Sequence, residues 1–366
     1  MLKKFDRNPL CHRIEEKGVV LSKKVLLIRL SSLGDCIFNI PLANVLKRNG
    51  YEVTWLVSEK GYDVIKDNSC VDNTILAPMG LWKKRGFSLE SFREYIEIMK
   101  QIRAEKFDIV IDTQMLIKSM YFNIFSGAKR RIVAKNAREL SMFGGNEWIE
   151  AINKDKTTSA IKNYLRFADY LGLDTSNIEV TLPDSSQEAK EKIQEILKEI
   201  DTTKPIVVVA PATTWAPKHW ARNNWRELIA KIEDKYNLIF TGTDKDNDLI
   251  KYIGGDRHIN LAGKTNLKEL IELFRHTDLL LSLDSGSTHL AWATQVPKII
   301  TIFCCTPKSL YAPVGDKMKY RALSGHLPCQ PCHKRKCFLA GKEQNLCTKL
   351  PNVDNVLKNI KDLMGE

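Results

Sequence analysis

The stretch VLLIRLSSLGD, residues 25–35, decides the fold of this chain. It predicts a buried apolar strand, a short polar loop and then a helix that begins near Gly34 and Asp35. The second half of the chain contains a comparable stretch, LLLSLDSGSTH, residues 279–289. Ligands of open α/β sheets bind at the carboxyl ends of the strands. Two such loops, each with an acid and a glycine, therefore predict two α/β halves that face one cleft.

Short apolar runs alternate with helical segments along most of the chain. The runs are continuous and rich in Val and Ile, which is typical of strands covered on both faces. Their alternation with helices predicts parallel βαβ units. Further strands are predicted at 53–57, 108–111, 131–133, 206–209, 238–241 and 298–303, and a final amphipathic helix at 353–364. A turn-rich break at 201–205 places the domain boundary near 180–204.

The composition is that of a globular protein with two domains. A chain of 366 residues is longer than one hydrophobic core usually serves, and its hydrophobic fraction of 43% is ordinary. No apolar run reaches about 18 residues, so no transmembrane helix is expected. The polar residues at the N-terminus lack the apolar core of a signal peptide, so we expect a cytoplasmic location.

The net charge of +12 allows two interpretations. In the first, the basic surface only keeps protein molecules apart in solution by charge repulsion. In the second, it attracts a polyanion. Nucleotide phosphates and an anionic membrane surface both fit the second interpretation, and a basic protein without an anchor binds an anionic leaflet reversibly. The sequence contains no helix-turn-helix, zinc-finger pair or aromatic-basic RNA signature, so we expect no nucleic-acid partner.

Asp35 allows a structural and a catalytic interpretation. An acid at a helix N-terminus is favoured by the helix dipole, so Asp35 could serve only as a cap. At the end of a strand it could also act as a general base that deprotonates a hydroxyl nucleophile. The loop matches neither the G-x-G-x-x-G fingerprint nor the Walker A sequence, which disfavours a nicotinamide-dependent oxidoreductase.

Three strand ends in the second half carry Gly, Thr, Ser or Asp. The loop at 284–289 offers backbone N–H groups, hydroxyls and a helix N-terminus, which together suit a pyrophosphate. The loop at 211–214, with Lys218 beyond it, and the loop at 241–244 repeat the pattern. Each residue alone could be an ordinary loop or core residue, His289 included, but their joint occurrence favours a nucleotide site.

Four cysteines near the C-terminus form a cluster with the spacing C-x2-C-x4-C-x9-C, namely Cys329, Cys332, Cys337 and Cys347. Four thiols with one close pair could bind a structural zinc or iron ion. The spacing differs from a standard zinc finger, whose second pair is also close, so free buried thiols and partial disulfides remain alternatives.

These stretches together resemble glycosyltransferase family nine, the ADP-heptose lipopolysaccharide heptosyltransferases. The matching segments are KVLLIRLSSLGDCIFNIP at 24–41, DTQMLIKS at 112–119, APATTWAPKHWARNNWREL at 210–228 and DLLLSLDSGSTHLAWATQV at 278–296. The resemblance implies a GT-B fold, in which two Rossmann-like domains with mostly parallel sheets flank a central cleft. The N-terminal domain binds the acceptor and the C-terminal domain binds the nucleotide sugar in this family.

The resemblance also implies a domain division. Residues 1–22 are an additional polar extension, 23–185 form the acceptor-binding domain, and 186–350 form the nucleotide-sugar domain with the cysteine cluster at 329–347. Residues 351–366 form a helix that is expected to cross back to the first domain.

Site residues follow from the matching positions. Asp35 corresponds to the general base. Donor binding is predicted for Thr213, Thr214, Lys218, Thr241, Gly242, Asp284, Ser285, Gly286, Ser287 and His289. Acceptor binding is predicted for Ser32, Gly34, Gln114 and Lys118. Asp244 and Asp246 are candidates for a further acidic contact with the donor.

The activity implied is an inverting transfer of heptose from ADP-heptose to an inner-core acceptor that carries Kdo or heptose on lipid A. This chemistry requires no cofactor, and the anionic lipid acceptor implies transient contact with the inner face of the bacterial inner membrane. The alternatives are a protein O-heptosyltransferase with the same donor and a non-catalytic protein that binds nucleotide sugars or glycans. The sequence does not predict an oligomeric state.

Overall fold

The computed structural model describes Glu15–Glu16, Val19–Val20 and residues 22–86, 88–150, 152 and 156–366. The predicted polar extension at 1–22 lies almost wholly outside these described residues. Within it, only strands β1 (Glu15–Glu16) and β2 (Val19–Val20) are described, and they pair antiparallel.

The chain divides into two compact units. Unit 1 contains Met1–Ser32, Asn39–Ile152 and Tyr164–Val180, and unit 2 contains Leu33–Phe38, Asn153–Asn163 and Thr181–Glu366. The chain therefore changes units several times before it remains in unit 2. The predicted domain division, with boundaries after residues 22, 185 and 350, stays a prediction.

Unit 1 is built on a six-stranded parallel sheet with the strand order β5-β4-β3-β6-β7-β8. Its strands are β3 (Lys24–Ile28), β4 (Glu52–Val57), β5 (Asn73–Leu76), β6 (Ile109–Asp112), β7 (Arg130–Ala134) and β8 (Glu147–Ile149). The helices of this part of the chain are α1 (Leu33–Arg48), α2 (Glu59–Ile65), α3 (Met79–Arg85), α4 (Leu89–Ala104), α5 (Ile117–Phe125) and α6 (Ala160–Tyr170), with a 3-10 turn at Ser141–Gly144.

Unit 2 contains a second six-stranded parallel sheet with the order β11-β10-β9-β12-β13-β14. Its strands are β9 (Ile206–Ala210), β10 (Asn237–Phe240), β11 (Ile259–Asn260), β12 (Leu279–Leu283), β13 (Lys298–Phe303) and β14 (Tyr320–Ser324). Its helices are α7 (Gln187–Leu197), α8 (Arg222–Ile232), α9 (Asn247–Tyr252), α10 (Leu267–Arg275), α11 (Gly286–Ala293), α12 (Lys308–Tyr311) and α13 (Val353–Met364).

The two sheets share one topology. In chain order each reads 3-2-1-4-5-6, the strand order of a Rossmann fold. The order reverses between β3 and β6 in unit 1 and between β9 and β12 in unit 2, and ligands of such sheets bind at that reversal. The predicted α/β fold with two Rossmann-like parallel sheets is confirmed.

The central strands are buried on both faces, which explains their continuous apolar sequences. In β3, Val25, Leu26, Leu27 and Ile28 have no exposed surface at all. Fully burying one such side chain stabilises a fold by about 1.5–3 kcal/mol. Strands of this kind cannot shift register without placing polar loop residues in the core, so the loops after them are fixed in place.

The last helix, α13, belongs to unit 2. Its four buried side chains, Val353, Val356, Ile360 and Leu363, recur on one face and complete the core formed with α8 and the sheet. Outside this core, Lys231 of α8 forms an ion pair with Asp354 at 3.1 Å. These described contacts of the helix lie within unit 2. That the helix crosses back to the first domain stays a prediction.

Among the described helices, none has the length and apolar character that a bilayer span requires.

Candidate active site

The topological reversal of unit 1 is organised by Gln114, a predicted acceptor residue. It follows β6, and its side-chain oxygen accepts hydrogen bonds from the backbone N–H groups of Leu30 and Ser31 at 2.9 and 3.0 Å. The side chain is 7% exposed. Because its oxygen holds the loop after β3, Gln114 fixes the backbone that leads into Ser32, and only its NH2 group remains for a ligand.

The carboxylate of Asp112 supports this arrangement, although Asp112 was not among the predicted site residues. Its carboxylate accepts from the backbone N–H groups of Gln114 and Met115 and from the Ser119 hydroxyl, at 2.9, 3.1 and 2.8 Å. Burial raises the pKa of Asp112 to about 6, although these hydrogen bonds lower it. The sequence signal that could have identified Asp112 is its position at the end of a buried strand.

The other two predicted acceptor residues of unit 1 lie beside this loop. Ser32 is exposed, and the ammonium group of Lys118 lies 3.4 Å from the hydroxyl of Ser31. Unit 1 therefore presents an amide, a serine and a cation at its reversal point, which suits a polar or anionic ligand.

Gly34, the fourth predicted acceptor residue, lies against His289 in unit 2. A Cβ atom added at Gly34 would lie 2.4 Å from Cδ2 of His289, so no side chain fits there without a shift. The ring of Phe38, one turn later, is 4.4 Å from the same imidazole. The first turn of α1 thus packs directly on α11, and Asp35 stands in that turn.

His289 is buried and neutral. Burial lowers the pKa of its imidazole to about 4, while the nearby carboxylates of Asp284 and Asp35 raise it and the Lys218 ammonium lowers it further. Above about pH 4 the ring therefore adds no charge next to Asp35. This favours a structural or hydrogen-bonding role for His289 over that of a cation.

Lys218 and Asp284 form the central ion pair of unit 2. They come from the loops after β9 and β12, the strands between which the sheet order reverses. The ammonium lies 2.8 Å from Asp284 Oδ2, and both side chains are largely buried. The hydroxyl of Thr213 donates to the Asp284 carbonyl oxygen at 3.1 Å, which joins the two loops a second time.

No side chain of the described residues caps the N-terminus of α11. Ser285 stands at the N-cap position, but its hydroxyl does not cap the helix. Among the residues that the structure describes, this buried hydroxyl has no hydrogen-bond partner. The first amides of an α-helix lack partners within the helix, so those of Gly286 and Ser287 are available together with the positive end of its dipole.

The loop after β10 is stabilised by hydrogen bonds to one of its own carboxylates, that of Asp246. Asp246 accepts from the backbone N–H of Thr243 at 2.7 Å and from its hydroxyl at 2.8 Å, which makes it a structural residue of the turn. Asp244 packs on Gly263, where an added Cβ would lie 1.7 Å from the carboxylate oxygen. Thr241 is buried at the strand end, and its hydroxyl has no partner within the described part of the chain.

The structure brings most of the predicted donor residues to one edge of the unit 2 sheet. The strands β10, β9 and β12 are neighbours, and their carboxyl ends carry the loops with Thr241 and Gly242, with Thr213, Thr214 and Lys218, and with Asp284 to His289. A cation, an uncapped helix N-terminus and several hydroxyls at one edge can bind a diphosphate and stabilise charge on it.

The four cysteines of the predicted metal site line one cavity, together with Cys305. Leu327, Phe338, Leu339 and Leu346 line the same cavity. Burial raises the pKa of Cys347 to about 11 and that of Cys305 to about 12, which favours thiols over thiolates. Among the described residues, no three His, Cys, Asp or Glu side chains are grouped so that they could hold a metal ion. The zinc or iron site at the four cysteines stays a prediction.

Comparisons with known proteins agree with this geometry. The model of glycosyltransferase family 9 (heptosyltransferase) matches residues 95–342, more than half of the chain. Lipopolysaccharide heptosyltransferase 1 of Pseudomonas aeruginosa is 23% identical over 361 residues, which cover 93% of this chain and 98% of that protein.

Two solved structures share the fold. The glycosyl transferase family 9 protein of Veillonella parvula has a TM-score of 0.76 at 18% identity, covering 94% of this chain and 98% of that one. The heptosyltransferase WaaC of E. coli with ADP has a TM-score of 0.70 at 22% identity, covering 93% and 99%. With the family model matched across both units, this chain belongs to glycosyltransferase family 9 and is a glycosyltransferase.

Proposed function

We propose that this protein transfers heptose from ADP-heptose to an inner-core acceptor of lipopolysaccharide, with inversion at the anomeric carbon. The observation that carries the proposal is the buried Lys218–Asp284 pair beside the uncapped N-terminus of α11. The P. aeruginosa relative is named a lipopolysaccharide heptosyltransferase, and the E. coli structure contains ADP. Both support the choice of donor and acceptor.

Unit 2 binds the donor in this proposal. The Lys218 ammonium and the free amides at the start of α11 neutralise the diphosphate, and Thr213 and Thr214 contact its oxygens. Asp284 holds Lys218 in place at 2.8 Å. These groups stabilise the charge that develops on ADP as the leaving group departs, which is where electrostatic catalysis is most effective.

Asp35 acts as the general base. It takes the proton from an acceptor hydroxyl while that oxygen forms a bond to the anomeric carbon of heptose. The bond between this carbon and the phosphate oxygen breaks on the opposite face, and ADP leaves with the electron pair. The products are the glycoside and ADP, and the proton remains on Asp35 until it passes to water. Asp35 suits this role because it belongs to the same unit as the donor loops.

The donor is tested by thermal unfolding with ADP, UDP, GDP and NAD, followed by transfer assays with ADP-heptose. A ligand at about 100 times its dissociation constant stabilises by about 2.7 kcal/mol, so ADP alone is expected to raise the midpoint by several degrees. Mass spectrometry then separates acceptors. Transfer to a Kdo-containing lipid A precursor supports the proposal, whereas transfer to protein serine or binding without turnover contradicts it.

The acceptor side of the proposal includes contact with an anionic membrane. Helix α5 follows the predicted acceptor residues directly, and Ile117, Tyr121, Ile124 and Phe125 form an exposed apolar stripe on it with helical spacing. The opposite face, with Phe122, is already buried, and its ring lies 4.8 Å from Tyr95. The stripe is therefore additional to the core of unit 1.

A neighbouring turn extends the stripe. Leu140 and Phe143 are 70% and 67% exposed, and the turn that carries them packs tightly on α5 at Gly144 and Met120. We call these six apolar side chains the α5 surface. Monomeric proteins rarely leave such a set of large apolar side chains in contact with water.

The charges around the α5 surface favour a lipid surface as its partner. Helix α5 carries Lys118 and no acidic residue, and Lys129 and Arg138 are exposed nearby. Glu139 is used at the start of α5, where it accepts from the Ile117 N–H at 3.1 Å. Apolar side chains rimmed by cations are what an anionic leaflet binds.

The membrane contact is tested by cosedimentation with vesicles of phosphatidylglycerol and phosphatidylethanolamine, with neutral phosphatidylcholine vesicles as reference. The double variant Leu140→Ser/Phe143→Ser is expected to lower the bound fraction at least about tenfold, because two apolar side chains no longer enter the lipid. Met318→Ser, which changes a side chain that is 69% exposed in unit 2, is the matched control. Equal binding by both variants contradicts the proposal, as does a dimer that only the double variant dissociates.

A further inference from the structure

Trp215 in unit 2 lies at the centre of a cluster of cations. The Lys218 ammonium is 5.3 Å from the centre of its ring, and the Arg335 guanidinium carbon is 5.0 Å away. The imidazole of His333 stacks on the same ring at 5.9 Å, with 28° between the planes. Lys218 and Trp215 belong to the loop after β9, whereas His333 and Arg335 come from the segment with the four clustered cysteines.

That cysteine-rich segment, residues 327–347, is anchored at the edge of the sheet that carries the donor loops. The His333 N–H donates to the Cys305 carbonyl oxygen at 2.7 Å, and the Gln330 amide donates to that of Cys304. Cys304 and Cys305 follow β13, the neighbour of β12. Arg335 is exposed and follows these two anchored residues, two positions after His333.

The cavity of the cysteines connects the segment to the donor loop as well. Pro217, the residue before Lys218, lines this cavity with Cys305, Cys332 and Cys347. The cysteine side chains therefore share a cavity with the loop that carries Lys218. His333 and Arg335 of the same segment contact the Trp215 ring.

Of the two cations at Trp215, the Arg335 guanidinium is not neutralised by a carboxylate of the described residues. Among the described residues, no carboxylate lies within 4 Å of the Arg335 guanidinium, while Lys218 is paired with Asp284. Burial lowers the pKa of His333, and the cations of Lys156 and Lys218 lower it further, although Asp284 opposes them. A guanidinium without a carboxylate partner, over the same indole ring as a second cation, is a favourable group for binding an anion.

We propose that Arg335 binds the diphosphate of the nucleotide donor beside Lys218, so that the cysteine-rich segment is part of the donor site. This inference rests on the proposed function, because it names a second cation for the same ligand. Both cations lie within cation–π distance of the Trp215 ring, and the planar guanidinium offers two parallel donors to phosphate oxygens. Arg335 is thus a donor-binding residue outside the set predicted from the sequence.

The experiment compares Arg335→Gln with Lys334→Gln, which removes the same charge from the exposed neighbouring position. Calorimetric titration measures the affinity of each protein for ADP and for adenosine. Arg335→Gln is expected to weaken ADP binding about tenfold or more, because a charge-assisted hydrogen bond is lost, and adenosine binding is expected to stay unchanged. Lys334→Gln is expected to bind both as the unaltered protein does.

The outcomes separate this inference from the proposed function. Unaltered protein that binds no ADP overturns both. If it binds ADP and the two variants bind equally well, the role of Arg335 is overturned and the donor assignment stands. A raised KM for the acceptor with unchanged ADP affinity also overturns it. Arg335→Lys, which keeps the charge without the planar fork, is expected to recover part of the affinity and serves if the glutamine variant unfolds early.

Discussion

Replacing Asp35 by asparagine is expected to lower kcat by about 10²–10⁴-fold, the usual contribution of a general base. Asparagine keeps the size of the side chain but cannot take the proton of the acceptor hydroxyl. Because Asp35 is not among the groups assigned to the diphosphate, ADP affinity is expected to stay unchanged. Steady-state kinetics at saturating ADP-heptose, together with an ADP titration, measure the two effects separately.

The matched control is Asp354→Asn. Asp354 is also an acid in the first turn of a helix of unit 2, and its side chain is 79% exposed. If Asp35 served only as a favourable charge at a helix N-terminus, both variants would lose a little stability and neither would lose turnover. An Asp35→Asn protein that retains more than about a tenth of its kcat contradicts its role as general base.

Replacing Lys218 by methionine is expected to remove donor binding and to lower the free energy of unfolding by about 3–5 kcal/mol. The side chains of Lys218 and Asp284 are 13% and 4% exposed, so the variant leaves a carboxylate buried without its partner. Chemical denaturation measures the stability, and an ADP titration measures the binding.

The double variant Lys218→Met/Asp284→Leu separates these two effects. Replacing both members of a buried ion pair with apolar residues is often neutral, so its stability is expected to return toward that of the unaltered protein. ADP binding is not expected to return, because the cation is still missing. If the single variant unfolds within about 1 kcal/mol of the unaltered protein, the pair is more hydrated than its burial indicates.

The central strands could be predicted from sequence, but the four edge strands of the two six-stranded sheets could not. The runs at 206–209 and 279–283 are continuous and apolar because β9 and β12 are covered on both faces. The edge strand β8 has only three residues, and β14 has the sequence YRALS with every side chain partly exposed. Strands of this kind lack the burial that produces a recognisable pattern.

Site residues that directly follow a predicted strand could be predicted from the sequence. Contacts that arise only from tertiary packing could not. Lys218 and Asp284 follow predicted strands, so their loops could be placed at one sheet edge. The contact of Gly34 with His289 is a tertiary contact without a sequence signal. Arg335 was missed for the same reason, since its partner Trp215 is distant in sequence.

The grouping of Leu33–Phe38 with unit 2 has a consequence for protein engineering. Asp35, the proposed general base, belongs to unit 2 with the donor loops. The strand before it and the rest of its helix belong to unit 1. A chimera that exchanges the acceptor half for that of a relative should therefore take residues 33–38 from the parent that supplies His289. If residues 33–38 instead came from the other parent, Gly34 and the His289 imidazole that it contacts would come from different proteins.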